Sequence, residues 1–481
     1  MKKKWLTVVC GFLAGVMALG FAGCNGNGGN GGQIGNKWWS TTGELEFDSD
    51  NEVVFDNVEI KLSSVVSGVD KGPLETIIAQ FNAQYRDRIN ITMTNIGESD
   101  FETNVSQSII HNNNAPDLIM SHQKSHKSFA DNRLIQPLDE AMELSGIEID
   151  MKDYASGLAQ YTSLGYEDTL FSVPADIQSI VVFYNKDLMQ KYNGNKDLPS
   201  TREEIMALCD AAKKDGLATP VSWATNYRLF ISYVFETAIL QNGGAFYNGD
   251  TYYAEWSKEP NLTAYKNAIA SVREYTTKGY AAVNTSEANA LAAFLDNQAL
   301  FYFYIPWSAT DLIGAYAKQN DVTVSVAQND KIGAMSISNW FALDPDRDYS
   351  VKVSGDSHFF AMSKTVSDIN KKAAILEFVK WFTQTGSVGV SWAKAGHATA
   401  SNVIANSTEY KNDNFVINYT KNFYPDIADF ECLGNTPYYA TMRTSLGSII
   451  VNALQKDASE DENLIKTGEK KLNDEIDFAN M

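Results

Sequence analysis

Alternating strand and helix periodicities, in a chain too long for one core, predict an α/β protein of two lobes. From Val58 onward, apolar residues recur at a period of two, then of 3.6, then of two again. That βαβαβ order implies mainly parallel sheets flanked by helices, with ligands held at the carboxyl ends of strands. About 425 of the 481 residues follow Asp56, more than the ~100–200 that one core commonly serves. Hydrophobic content of 44%, with 12% aromatics, argues against disorder.

In chain order, the first element is a targeting signal. Met1-Lys2-Lys3-Lys4 forms a positive n-region and Trp5 to Phe21 an apolar h-region, with small residues before Cys24. Phe21-Ala22-Gly23-Cys24 resembles a bacterial lipobox with Phe in place of the usual Leu. The resemblance implies a signal peptide over 1–23 and a Cys24 that carries lipid such as palmitate and anchors an exported domain. Residues 24–56 read as a flexible tether. Asn25 to Asn36 is almost entirely Gly and Asn, and Trp38 to Asp56 is acidic and only patchily apolar. If all coil, that tether has an rms reach of roughly 30 Å.

Val58 to Val66 is the first strand, alternating through Val58, Ile60 and Leu62. Leu74, Ile77, Ile78, Phe81 and Tyr85 fall at helical spacing, and Ile89 to Thr94 returns to strand character. Phe101 to His111 is an amphipathic helix, and Asp117 to Met120 a short buried strand. A second series opens at Ile180-Val181-Val182-Phe183-Tyr184. It continues through helices at Thr201–Asp215, Leu229–Gln241, Leu262–Lys278 and Ala288–Asp296.

Composition excludes some partners. A formal charge of −20 with no basic stripe disfavours nucleic acid and favours a soluble monomer. Cys10 leaves with the signal, so only Cys209 and Cys432 could pair. Cys209 sits in an apolar helical pattern that suits a buried thiol. Motifs for phosphate, dinucleotide, nucleophilic serine or zinc-protease chemistry are absent, and no cofactor is expected. His122 and His126 are spaced i, i+4, as metal ligands on a helix can be, but lack an adjacent Glu or Cys and read as a ligand-facing loop. Asp344 to Asp348 alternates carboxylates without the Gly and Glu of a calcium loop, and reads as a solvated turn. Carboxylate pairs give no placed general acid and base, so no enzyme is expected. Trp223, Trp256, Trp307, Trp340, Trp392, Tyr438 and Tyr439 lie near strand ends, loops or helix starts. There their rings could stack on the C–H faces of sugars while polar neighbours bond the hydroxyls.

The order of short motifs then resembles the extracellular solute-binding proteins of carbohydrate ABC transporters, the group that includes maltose-binding proteins. The motifs include Phe81-Asn82-Ala83-Gln84-Tyr85, Ala115-Pro116-Asp117-Leu118-Ile119 and Arg133 to Leu138. Phe183-Tyr184-Asn185-Lys186-Asp187-Leu188, Leu198 to Glu204, Ile305-Pro306-Trp307 and Gly355 to Lys364 follow in the same order. The resemblance implies a two-lobed Venus-flytrap fold with an interlobe cleft. It puts residues 57–175 with about 331–380 in the N-lobe, and 176–330 with about 381–481 in the C-lobe. Crossovers are expected near Ala175-Asp176-Ile177, between Trp307 and Ile332, and near Phe378 to Thr385. Permease subunits would be partners, with the protein lipid-anchored on the outer face of a bacterial membrane. Carried over by position, the ligand residues are Asp70, Lys71, Ser121, His122, Ser125, Gln178, Trp223, Trp307, Asp356, His358 and Tyr439, with Lys124 in the same loop. The implied ligand is a mono- or oligosaccharide; alternatives are a non-sugar solute or a surface-anchored glycan hydrolase.

Overall fold

A computed structural model describes residues 37–423, 429–434 and 436–479. The expected signal peptide, Cys24 and tether residues 24–36 lie outside the described residues. Among the described residues, no helix is long and apolar enough to cross a membrane.

Fourteen strands among the described residues form three sheets. The first holds β1 (Val58–Ser64), β2 (Ile89–Asn95), β3 (Leu118–His122), β4 (Ile135–Gln136), β5 (Ser172–Pro174) and β12 (His358–Ser363). The second holds β7 (Val181–Asn185), β8 (Val221–Ser222), β9 (Phe301–Tyr304) and β10 (Ile332–Met335). The third is made of β6 (Asp176–Ser179), β11 (Val353–Asp356), β13 (Ala398–Thr399) and β14 (Phe430–Cys432).

β1 shows how the sequence builds this. Val58, Ile60 and Leu62 are buried while Glu59 and Lys61 are exposed, and the strand then runs fully buried through Ser63 and Ser64 toward the cleft. β1 pairs in parallel with β2 and β3, as the βαβαβ order requires. β12 runs antiparallel to β3, β4 and β5. In the second sheet β7 is antiparallel to both β9 and β10, and only β8 pairs in parallel. The sheets are therefore mixed, not mainly parallel, because strands returning from the other lobe enter against the local direction.

The third sheet lies where the chain changes lobes. β5, β6 and β7 are nearly continuous, passing from the first sheet through the third to the second. β11 and β12 do the same in reverse across Ser357. Gly355 lets β11 approach β6 closely, since a Cβ there would stand 2.1 Å from the Gln178 carbonyl oxygen. Residues from Ile332 to Phe341, expected in the N-lobe, instead join the second sheet and the core around Trp340. The return crossing is thus at Asp356–His358, downstream of the expected 307–332 window.

Residues 37–56 were expected to be tether, but the structure packs them on the first lobe. Trp38 stacks on Phe171 with centroids 6.1 Å apart and donates its indole N–H to the Ile135 carbonyl at 2.9 Å. Thr42 exchanges backbone hydrogen bonds with Ser367 and Ile369. Lys372 donates to Ser40 O and Thr41 Oγ1, both at 2.9 Å. Tertiary partners order a segment that has no periodicity of its own.

Candidate ligand-binding cleft

Three strand ends and two helices meet around a cavity of about 410 Å3 between the lobes. From the first lobe come Val66, Ser67 and Asp70 after β1, and His122 and Lys124 at the end of β3. Gln178 of β6 and His358, which opens β12, form the back wall. The second lobe supplies Tyr304 at the end of β9 and Ile305 and Trp307 after it, with Tyr227, Phe230 and Tyr233 from the segment entering helix Arg228–Leu240. Tyr439 and Arg443, one turn apart in helix Tyr439–Ala453, close the wall.

Six of the expected ligand residues line this cavity: Asp70, His122, Gln178, Trp307, His358 and Tyr439. Ser121 and Ser125 line an adjoining pocket of about 410 Å3 that shares Val65, Glu98, His122 and Lys124 with the cleft. There Ser125 donates to Glu102 at 2.6 Å and Ser121 Oγ lies 3.0 Å from His126 Nε2. Asp356 is buried directly behind His122.

Two expectations are corrected. Lys71 is half-exposed, lies 3.5 Å from Glu75 and is not among the cavity's lining residues, because it starts a helix and faces outward along it. Trp223 is 0% exposed and packs edge-on against Tyr275 and Phe303. It follows a strand, but its side chain points into the second core. Trp256, Trp340 and Trp392 are likewise buried, so of the seven aromatics singled out by position, Trp307 and Tyr439 line the cavity.

Charge in the cleft is strongly paired. The buried Arg443 guanidinium donates to both Glu236 oxygens, at 2.9 and 3.0 Å, and also to the Tyr439 hydroxyl. It lies 3.9 Å from the Tyr233 ring centroid and 4.5 Å from that of Tyr439, so it holds both rings in place. Lys124 reaches across from the first lobe to within 4.4 Å of the Tyr439 ring centroid and bonds Glu98 at 3.1 Å. Glu287, on the rim, accepts from Tyr304.

Asp356 Oδ2 and His122 Nδ1 stand 3.2 Å apart, yet neither atom has an aligned hydrogen bond. Burial alone would raise the Asp356 pKa, but positive charge from His122, Lys124 and Arg443 outweighs it and holds the carboxyl below its ordinary range. His126 turns away from His122, and burial drives its pKa down to about 3. The two histidines face different partners and do not converge on one point.

Behind the cleft, three nitrogens converge on one carboxylate oxygen. Asp176 Oδ2 accepts from Trp392 Nε1 at 3.0 Å and lies 2.8 Å from His358 Nδ1 and 3.2 Å from His397 Nδ1. Asp176, His358 and His397 are close enough for one ion, their ligand atoms all falling within 4.8 Å. The indole N–H already directed at the shared oxygen suits a hydrogen-bonded charge cluster better than a metal centre. The sequence reading missed His397, Asp176, Glu236 and Tyr233 as site residues, since they carry no local motif.

The chain belongs to the family of bacterial extracellular solute-binding proteins, matching it over residues 67–388. Solved structures share the fold. The sugar-binding protein MalE from the phytopathogen Xanthomonas citri superposes with a TM-score of 0.70 at 15% identity, covering 87% of this chain and 98% of its own. The cyclic α-maltosyl-1,6-maltose binding protein from Arthrobacter globiformis gives 0.66 at 17% identity, covering 87% and 99%. The maltose-maltodextrin binding protein of Alicyclobacillus acidocaldarius gives 0.60 at 16%, covering 86% and 100%. No curated protein matches the sequence.

Proposed function

We propose that this protein captures a mono- or oligosaccharide between its lobes and delivers it to an ABC importer. In this reading it is held at the outer face of a bacterial membrane by lipid on Cys24, and it binds its ligand without transforming it. The reading rests on family membership, on sugar-binding proteins with the same fold, and on one observation in the cleft. The half-buried Trp307 ring and the buried Tyr439 ring, both from one lobe, line the same cavity as the polar side chains of Asp70, His122, Gln178 and His358. Sugars present both complements: C–H faces for Trp307 and Tyr439, and hydroxyls for His122, Asp70 and Gln178, with Asp356 behind His122.

Closure follows if the ligand touches both lobes when they approach and mainly one when they part. Asp70 and His122 stand on one side and Trp307 and Tyr439 on the other. The lobes would then pivot on the third sheet, with crossings at Ala175–Ile180 and Asp356–His358 and a further one at the β13 end.

A thermal-shift panel of neutral mono- and oligosaccharides, with amines, peptides and anions alongside, tests the assignment, since a ligand at 100 times its Kd adds about 2.7 kcal/mol to native stability. The expected result is a raised melting temperature with a small set of related sugars. A panel in which only amines, peptides or anions stabilise the protein would overturn it.

A further inference from the structure

His397 is fully buried where segments from both lobes and the hinge meet. Its Nε2 is hydrogen-bonded to Asp70 Oδ2 at 3.0 Å, on the turn after β1, and its Nδ1 stands 3.2 Å from Asp176 Oδ2, which opens β6, as an ion-pair contact without an aligned hydrogen bond. Trp392 stacks on one face of the imidazole with centroids 4.0 Å apart and planes 5° from parallel. Trp307 lies parallel to the same ring at 6.4 Å and 10°. Gly396, at φ +93°, presses this loop onto the second lobe: a Cβ there would stand 2.1 Å from the Trp307 Cα. Asp70 and Trp307 both line the cleft, from opposite lobes.

We propose that His397 is the positioning residue of the cleft, tying the Asp70 carboxylate and the Trp307 ring to the hinge so that both are presented to ligand together. This deepens the reading of the cleft as the ligand site and rests on it. The role depends on charge. A protonated imidazole donates from both nitrogens and can hold both carboxylates; a neutral one has a single N–H and must release one of them.

The titratable groups facing the ring are Asp70 after β1, Asp176 of β6 and His358 of β12, and behind His358 stands His122 at a ring distance of 4.8 Å. Burial by itself would lower the His397 pKa, but hydrogen bonding and charge from Asp176 and Asp70 carry it up to about 9. His358 shares Asp176 yet moves the other way, because burial and the neighbouring histidines outweigh that carboxylate. In the native protein the clamp therefore stays charged until pH rises through about 9, and the stability it lends is full below the ordinary histidine pKa of about 6.5 and lost as pH climbs through the raised value.

The test is an NMR titration of the full protein, labelled at histidine and tryptophan, from pH 5.5 to 10.5 without sugar. His397 is identified among the five histidines by its contact with the Trp392 ring, and the Trp307 indole signal by its loss in Trp307→Phe. The expected result is an imidazole that stays charged past neutrality, with the Trp307 signal moving at the same midpoint. In Asp70→Asn that midpoint falls by a unit or more. Titration of His397 at or below its ordinary value, or a Trp307 signal indifferent to it, overturns the proposal. So does a joint shift of the His358 and His397 signals on adding zinc, which would make the cluster a metal site. No ligand enters the experiment, so its failure is separate from any failure of the sugar reading.

Discussion

Trp307 and Trp223 both follow strands of the second sheet, and from sequence each suits a sugar platform equally well. The structure separates them by the direction of the side chain: Trp307 turns to the cleft, while Trp223 is sealed among Tyr275, Phe303 and Phe341. Residue type was readable; side-chain direction was not, because packing from distant helices decides it. Trp307→Ala should weaken affinity for the cognate sugar about tenfold, roughly 1.4 kcal/mol, with the melting temperature unchanged; titration calorimetry and scanning calorimetry check the two halves. Trp223→Ala should do the opposite, costing about 3–5 kcal/mol in denaturant unfolding through the cavity it leaves. Buried charge gives a further expectation. For Asp176, as for Asp356, burial would raise the pKa, but neighbouring positive charge outweighs it and holds both carboxyls below their ordinary range. Groups depressed in the fold contribute stability above the unfolded value of about 3.9 and lose it as pH falls below that. Unfolding curves should therefore show stability dropping on acidification below about pH 4, more steeply in wild type than in Asp356→Asn.

Helices were the most readable elements because their signals are local. The helix expected over Thr201–Asp215 runs Arg202–Lys214, and Thr201 and Glu204 form a capping box at its start. Thr201→Ala should cost about 1 kcal/mol, read from the shift in urea midpoint. Strand direction was less readable, since a period of two is the same in parallel and antiparallel pairs; the antiparallel β7, β9 and β10 carry no mark of it. The segment 37–56 was unreadable for another reason. Its order comes from distant partners, including the Trp38–Phe171 stack and the buried Lys372, whose pKa burial lowers to about 8 while it bonds Ser40 and Thr41. Trp38→Ala should lower the melting temperature measurably and leave sugar affinity intact, whereas in a true tether the melting temperature would not move.

At the scale of the molecule, length and motif order pointed to two lobes and an interlobe cleft, and the fold has both. The return crossing was placed too early because β10 and β12 are both short buried strands, and only their hydrogen-bonded neighbours show which lobe each serves. The third sheet, which gathers Asp176, Gln178 and Asp356 beside the cleft, was invisible in sequence since its strands are two to four residues long and far apart. Its consequence is mechanical: a ligand that touches both sets of wall residues draws the lobes together about that sheet. Small-angle scattering of the purified protein, with and without a saturating oligosaccharide whose binding calorimetry has established, tests this most directly. The radius of gyration should contract on binding; superimposable curves at full occupancy would contradict capture by closure between the lobes.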